Sequence, residues 1–480
     1  MPFRELEITQ LSGEQIEILQ MPTQGRLIIS GPPGSGKTIL ALLRLKKIDD
    51  ELNHHNTRLV MFNRMVRMEA IQAARHLRIQ NAGNRPTGYM EWLTDALNEM
   101  CGVEVTRAQI ADPSFQGKPN WEVIDKMLIS KEVKENADRW VVVDEGQDFP
   151  QDFYDFLYKY WPNVTVFADE NQIIGEDGST IKSISQRLAR PVHMTVTTNF
   201  RNTREVAALA DYLHTKGVGG SPGVIPASTP RGPMPELFRS DTDEDFAMKF
   251  CRKVITDLIG RNPQPDHALL TATPASRKKI AALVRTIWPR TVNDRNDITD
   301  DMKEQLSGCE GLIQEYVPEK LKRPKVGAPG IFIMTMNAAK GCEFESVTLH
   351  TSGLNERHAG VDQRKLLYVA CTRTRGELLI GVVCSKEALP LSTPESLRDV
   401  PISILANSST AETLAVAIGR EDSASELFAV GQHVRHRLFG IGVVDSVING
   451  NPTTLEFTFK LKGKRLVTAQ SVSPAERHEK

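Results

Sequence analysis

Apolar residues in this chain fall into short unbroken runs that end in polar residues, and stretches with helical spacing separate the runs. Arg26–Ser30, Thr57–Phe62, Trp140–Glu145 and Val164–Asp169 read as parallel strands buried on both faces, with carboxyl ends that open on a ligand crevice. Leu11–Leu19 reads as a helix capped by Ser12, with Gln15 in its first turn. Ile39–Leu45, the amphipathic and basic Arg64–Leu77, Trp92–Met100 and Trp121–Leu128 read as further helices. The last two lie in a stretch without obvious strands, which predicts a modest helical insertion near 80–138.

A second series begins near Met194–Arg201. Its strand-like runs are Glu236–Arg239, His267–Thr273, Ile331–Met336, Ser346–His350 and Leu378–Val383, and Phe246–Leu258 and Arg277–Trp288 are apolar at helical spacing. The expected fold is therefore α/β, with a domain over 1–193 and another over 194–387, the latter carrying a short insertion near 290–327. From 388 to 427 Pro, Ser and Thr dominate apart from the helical Ala411–Ile418 and the acidic Glu421-Asp422, as in a linker. From 428 to 480, alternating apolar residues with Gly and Asn-Gly turns predict a small antiparallel β-barrel.

Composition narrows the function classes. The 480 residues are 40% hydrophobic and 25% charged, which suits folded domains, and the net charge of −1 supplies no global basic field. A nucleic-acid partner would need a local groove. The six cysteines, Cys101, Cys251, Cys309, Cys342, Cys371 and Cys384, show no C-x-x-C spacing, so neither a zinc site nor a disulfide framework is indicated and a reducing cytoplasm is the simplest home. The charged start Met1–Glu7 has no apolar core and no apolar run approaches a membrane span, so a soluble, cytoplasmic protein without a membrane partner is expected.

Two motifs carry chemistry. Gly31-Pro32-Pro33-Gly34-Ser35-Gly36-Lys37-Thr38 sits between a strand and a helix, as a phosphate-binding loop requires. Gly31, Gly34, Ser35 and Gly36 turn backbone N–H groups toward a phosphate, and the following helix adds its positive N-terminal dipole. Lys37 would reach the β- and γ-phosphates of ATP, and Thr38 would ligate Mg²⁺. The second motif, Val141-Val142-Val143-Asp144-Glu145-Gly146-Gln147-Asp148, is a buried strand ending in two carboxylates. Asp144 suits a Mg²⁺ ligand and Glu145 suits the residue that polarises the attacking water, because adjacent buried acids need a cation between them.

With these elements placed, the chain from about residue 11 to 384 resembles a superfamily 1 helicase of the UvrD/Rep/PcrA type. The resemblance implies two tandem RecA-like P-loop NTPase domains and a C-terminal SH3/Tudor-like barrel. Gln15 matches the family's adenine-reading Q motif, and Asp169-Glu170-Asn171-Gln172 is similar to motif III, with Gln172 as the γ-phosphate sensor. Asn199-Phe200-Arg201-Asn202-Thr203 resembles the N-Y-R-S/T box, which implies that Phe200 stacks on adenine and Arg201 contacts the γ-phosphate. Thr335–Phe344 looks like T-x-H-x-x-K-G-L-E-F, and its Glu343 joins the implied nucleotide-binding set. Leu367–Thr374 resembles the box that ends in V-T-R-A, with Arg373 as arginine finger.

The family's DNA path implicates Phe62, Thr87, Tyr89, Thr335 and Asn337 in single-stranded DNA contacts, RNA not being excluded. Phe62 fits strand core equally well. The implied activity is ATP-dependent translocation or unwinding, 3′→5′ by resemblance. Departures are also present: Gln172 leads into Ile173-Ile174 where the family has stacking aromatics, Asn337 replaces His, Cys342 replaces Leu, Ile39 replaces Arg, and both insertions are short. They touch processive unwinding more than hydrolysis. They also favour a second reading, a nucleotide-dependent switch docking on a nuclease or RNA polymerase; small helicase-like ATPases of this kind also occur beside nucleases in bacterial antiviral systems. Val430–Glu476 resembles the Tudor-like domain through His436–Val444 and implies a protein partner. A bare cap, or a weak nucleic-acid contact through Arg435, Arg437, Lys462, Lys464 and Arg465, fits it nearly as well.

Overall fold

The computed structural model describes residues 11–53, 55–114, 117–134, 136–173, 178–215, 229, 231–260, 266–307, 312–316, 330–354 and 363–383, and the strands 403–405, 433–436, 440–448, 454–459, 463–468 and 472–474. The chain divides into two compact units, residues 1–387 with 401–405, and residues 388–400 with 406–480. The first unit contains two parallel-sheet α/β domains, an architecture consistent with the tandem RecA-like arrangement.

The first sheet has six strands: β1 (Arg26–Ser30), β2 (Arg58–Met61), β3 (Pro86–Gly88), β4 (Trp140–Asp144), β5 (Asn163–Ala168) and β6 (Val192–Thr195). They are all parallel, in the order β3-β2-β4-β5-β1-β6. The unbroken apolar runs follow from burial on both faces. Leu27 and Ile29 of β1 enter one core with helices α1 (Gly13–Gln20), α2 (Lys37–Leu52) and α3 (Arg64–His76), whereas Ile28 enters a second core with α4 (Tyr89–Cys101) and the helix Gln151–Tyr160. Helix α1 carries the expected cap: Ser12 Oγ accepts from Gln15 N, and Ser12 N donates to Gln15 Oε1 at 2.9 Å.

The strand order explains where the chemistry gathers. Because β5 lies between β1 and β4, the residues after β5 fall between the phosphate loop that follows β1 and the acids that end β4. This is the carboxyl-end crevice that a doubly wound sheet offers a ligand.

The second sheet has seven parallel strands: β7 (Glu236–Ser240), β8 (Asp266–Thr271), β9 (Ile313–Glu315), β10 (Gly330–Thr335), β11 (Phe344–His350), β12 (Thr374–Val383) and β13 (Ser403–Leu405). Their order is β13-β7-β12-β11-β8-β10-β9. Helices Asp243–Gly260 and Pro274–Asn293 pack on it over a core that includes Phe250, Leu269, Trp288 and Ile333.

Four expectations need correction. Residues Val192–Thr195 do not open the second domain; they pair with β1 as the edge of the first sheet. Three residues inside the expected helical insertion form β3. In the expected second insertion, Pro274–Asn293 runs on past 290, a further helix spans Asp300–Ser307, and β9 joins the sheet beside β10. Within the expected linker, β13 extends the second sheet beside β7. All four strands are at or near a sheet edge, where one-sided pairing leaves only a weak apolar signature.

The second unit contains a five-stranded antiparallel sheet: β14 (His433–His436), β15 (Gly440–Ile448), β16 (Thr454–Phe459), β17 (Gly463–Thr468) and β18 (Val472–Pro474), ordered β17-β16-β15-β14-β18. The helix expected at 411–418 and residues 437–439 of the His436–Val444 signature lie outside the described residues, as do Cys309 and Cys384. Cys101, Cys251, Cys342 and Cys371 are buried. Among the described residues no helix is long and apolar enough to cross a membrane.

Candidate nucleotide site between the two α/β domains

The phosphate loop bridges β1 and α2 with two left-handed glycines, Gly34 at φ +77° and Gly36 at φ +80°. Only glycine adopts these torsions without strain. A Cβ at Gly31 would also strike the Val196 carbonyl, and one at Gly34 the Asn199 side chain, so the loop is fitted tightly against the segment that leaves β6. Lys37 is buried and donates to the carbonyls of Gly31 at 2.7 Å and Pro32 at 2.8 Å, with Asp169 Oδ2 at 3.5 Å. Gln15 Nε2 donates to Ser35 O at 3.1 Å, and Ser35 Oγ to Pro32 O at 2.9 Å, so the capped α1 braces the loop from outside. Phe200 is exposed beside it, with its backbone N–H bonded to Gly34 O at 2.8 Å.

Facing the loop, Thr38 Oγ1 donates to Asp144 Oδ2 at 2.7 Å. Burial, and then the neighbouring Glu145 carboxylate, push Asp144 up to about 7 against the Thr38 bond and Lys37. Glu145 is a non-glycine residue in the left-handed region, at φ +53°, a conformation that stores strain and recurs at functional sites. Burial works to raise its pKa, yet Lys340, Lys37, the Gln147 hydrogen bond and Arg373 outweigh burial and hold it below the ordinary glutamate range. Gln147 donates to Glu145 Oε2 at 2.5 Å and accepts from Asp169 N at 2.8 Å, which fixes the Glu145 carboxylate. Gln172 is buried and donates to Asp169 Oδ2 at 2.7 Å.

The second domain closes this constellation. Arg373 is 1% exposed at the end of helix Gln363–Cys371. Its guanidinium donates to Val369 O at 2.8 Å, Thr372 Oγ1 at 3.0 Å and Gln172 Oε1 at 3.4 Å. Burial, then Arg201, lower it to about 10, opposed by Glu145 and Glu343, so it stays cationic at neutral pH. Arg201 pairs with Glu343 Oε1 through Nε at 2.7 Å and Nη2 at 2.5 Å. Burial raises the Glu343 carboxyl, but Arg201 and the two further arginines Arg375 and Arg373 win and depress it. Asn202 donates to the carbonyls of Thr372 and Thr374, tying the segment after β6 to the arginine-bearing turn.

Lys340, which sequence reasoning left out of the site, is the most direct link across the cleft. Its Nζ ion-pairs with Asp148 and donates to Gln172 O at 2.8 Å. Burial raises Asp148 to about 6, with Lys340 pulling the other way. The signal was available, because Lys340 is the only basic residue of the Thr335–Phe344 box.

The residues implicated in nucleic-acid contact separate by exposure. Phe62 follows β2 and is 49% exposed, so it is not strand core, and Asn337 is exposed. Tyr89 is 7% exposed and underlies Phe62 in a ring cluster with Phe149 and Phe153; Phe62 stacks on Tyr89 at 6.3 Å and meets the edge of Phe149 at 5.7 Å. Thr87 is buried in β3, and Thr335 Oγ1 accepts from Ala338 N at 3.2 Å. Tyr89, Thr87 and Thr335 are therefore buried, whereas Phe62 and Asn337 are exposed.

The residues suit a magnesium nucleotide. Positive-φ glycines and a buried lysine at the start of the 16-residue α2 form a cradle for an anion, and the hydroxyl and carboxylate of Thr38 and Asp144 are hard oxygen donors of the kind Mg²⁺ takes. Burial and the Glu145 charge raise the Asp144 carboxyl, and a divalent cation beside it would favour its ionised form. Two parallel-sheet domains, with this loop on one and arginine and lysine reaching in from the other, form a candidate nucleotide site. Residues 290–381 match the family model described as the viral superfamily 1 RNA helicase core domain. That segment contains Lys340 and Arg373 and excludes the phosphate loop. No curated protein matches the chain. Among solved structures, an arterivirus nonstructural protein 10 helicase is similar at 16% identity and TM-score 0.34, over 77% of this chain and 61% of that one, so the chain spans less than two thirds of the viral protein.

Proposed function

We propose that the chain is an ATP-dependent translocase on single-stranded nucleic acid, of the UvrD-like kind, that hydrolyses ATP between its two α/β domains. The observation that carries this reading is the reach of Lys340 and Arg373 from the second domain to Asp148 and Gln172 of the first. ATP with Mg²⁺ would supply the phosphoryl group and the charge that both halves recognise. Toward it, the loop amides and Lys37 would bind phosphate, Thr38 and Asp144 would hold the cation, and Glu145 would orient water and draw its proton. Arg201, Arg373 and Gln172 would meet the charge that develops on the transferred group. Phe200, Gln15 and Glu343 would position the nucleoside.

Single-stranded DNA with 3′→5′ movement follows from the UvrD-like motifs, whereas the matched family model is named for RNA helicases and makes RNA the other substrate to test. Phe62 and Asn337 form the exposed contacts. A Phe62→Ala variant should bind single strands about 1–3 kcal/mol more weakly, with basal ATP hydrolysis retained; fluorescence anisotropy and a phosphate-release assay check both halves. Displacement of streptavidin from biotinylated single strands tests movement itself: release from one end only supports a directional translocase, and no release from DNA or RNA at saturating ATP opposes it. The separate C-terminal unit supports a second reading, a switch that docks on a nuclease or RNA polymerase. In that case deletion of 428–480 would abolish partner capture and leave ATP turnover intact.

A further inference from the structure

Between β6 and the helix Arg204–Thr215, the residues Asn199 to Asn202 touch both halves of the cleft. On the loop side, Phe200 N donates to Gly34 O at 2.8 Å, and the Asn199 side chain fills the place where Gly34 would carry a Cβ. Asn199 Oδ1 accepts from the backbone N–H of Arg201 at 3.0 Å and of Asn202 at 3.3 Å, which closes the segment into a turn. On the other side, Asn202 Nδ2 donates to Thr374 O at 2.7 Å and to Thr372 O at 3.3 Å. Those two carbonyls belong to the residues immediately before and after Arg373.

The two asparagine side chains are joined, because Asn199 Nδ2 donates to Asn202 Oδ1 at 3.0 Å. Asn202 is 1% exposed, so its amide N–H groups and its carbonyl are engaged where water does not compete. A hydroxyl at this position would bring a single donor and could hold only one of the two carbonyls. The hydrogen bond from the Arg373 guanidinium to the first domain, at Gln172 Oε1, is long at 3.4 Å. The place of the guanidinium in the cleft therefore depends on how firmly the backbone on either side of it is held.

We propose that Asn202 is a positioning residue for hydrolysis: through Asn199 it registers the backbone around Arg373 against the phosphate loop, and so sets the guanidinium for the transferred phosphoryl group. This rests on the cleft being a nucleotide site. The phosphate loop and Arg373 belong to different sheet domains, and the charge that develops in the transition state is met only when both are in place. Asn202 holds carbonyls rather than phosphate. Its loss therefore falls on the chemical step and leaves nucleotide affinity alone.

The test compares the wild type, Asn202→Ala, Arg373→Ala and the double variant, with unfolding midpoints measured in parallel. Asn202→Ala should lower kcat by about 10²-fold, the cost of a misplacement of about 1 Å, with KM for ATP unchanged. In the Arg373→Ala background the same substitution should cost no more than about twofold, because the group that it positions is gone. Binding of ADP with aluminium fluoride, which imitates the transferred phosphoryl group, should weaken about 10²-fold in Asn202→Ala, while ADP alone binds as in the wild type. Asn202→Ser keeps one donor and should lose about tenfold in kcat, which carries the test if the alanine variant does not fold. A folded variant with a lowered midpoint and the wild-type kcat would reduce Asn202 to a structural bond and overturn the assignment, as would losses that multiply in the double variant. If the wild type neither binds nor hydrolyses ATP, the nucleotide reading falls and takes the proposal with it.

Discussion

A Glu145→Gln variant should hydrolyse ATP about 10²–10⁴-fold more slowly than the wild type while binding it as tightly. Glutamine keeps the shape and the hydrogen bond from Gln147 but cannot draw a proton from water. The expected loss is sharp because of how the carboxylate is held. Its backbone occupies a strained left-handed conformation at φ +53°, Gln147 is anchored to Asp169 N at 2.8 Å, and Lys340, Lys37 and Arg373 keep the group ionised despite burial. Its partner Asp144 has the opposite environment: burial and the Glu145 charge push it up to about 7. Two adjacent carboxyls are thus driven apart in pKa, which is how neighbouring acids acquire different tasks. Single-turnover hydrolysis together with equilibrium binding of a fluorescent ATP analogue checks the prediction; hydrolysis at the wild-type rate would remove Glu145 from its assigned role.

Arg373→Ala should lower hydrolysis more, by about 10³–10⁵, the range found for arginine fingers. The guanidinium is 1% exposed and retains its proton at neutral pH even though burial lowers it to about 10. Its fork spans Val369 O, Thr372 Oγ1 and Gln172 Oε1, so one side chain ties the turn of the second domain to the first. Arg373→Lys keeps the charge and loses the fork, and should recover only a small part of the rate. The same kinetic assay checks both, with unfolding midpoints measured in parallel because an emptied buried site also costs stability. A rate loss confined to a change in KM would assign Arg373 to binding alone.

The parts of this site that are contiguous in sequence were legible there. The phosphate loop and the Asp144-Glu145 pair carry their chemistry in a few adjacent residues, and the strand before each is a continuous apolar run because both sheet faces are covered. Edge strands were not legible: β3 is three residues that begin with Pro86 and end with Gly88, and β6 is largely exposed. Pairing on one side leaves neither a hydrophobic run nor strict alternation. Lys340 was missed for a different reason. Its partner Asp148 lies 192 residues away, and only the closing of two sheets onto one cleft brings them together. Tyr89 and Thr87 were placed by motif position, which says nothing of burial; the structure sets both beneath the surface and leaves Phe62 above them.

Phosphate release by the full-length wild-type protein, with ATP and Mg²⁺ and with single-stranded DNA, duplex DNA, single-stranded RNA or no nucleic acid, asks whether the cleft between the two sheets is an engine for a strand lying over Phe62 and Asn337. Hydrolysis should be slow alone and strongly stimulated by a single strand, with DNA and RNA ranked by the same experiment, and Arg373→Ala should abolish the stimulated rate. An ATPase rate that no nucleic acid changes would contradict translocation, and the absence of hydrolysis under every condition would contradict the nucleotide site itself.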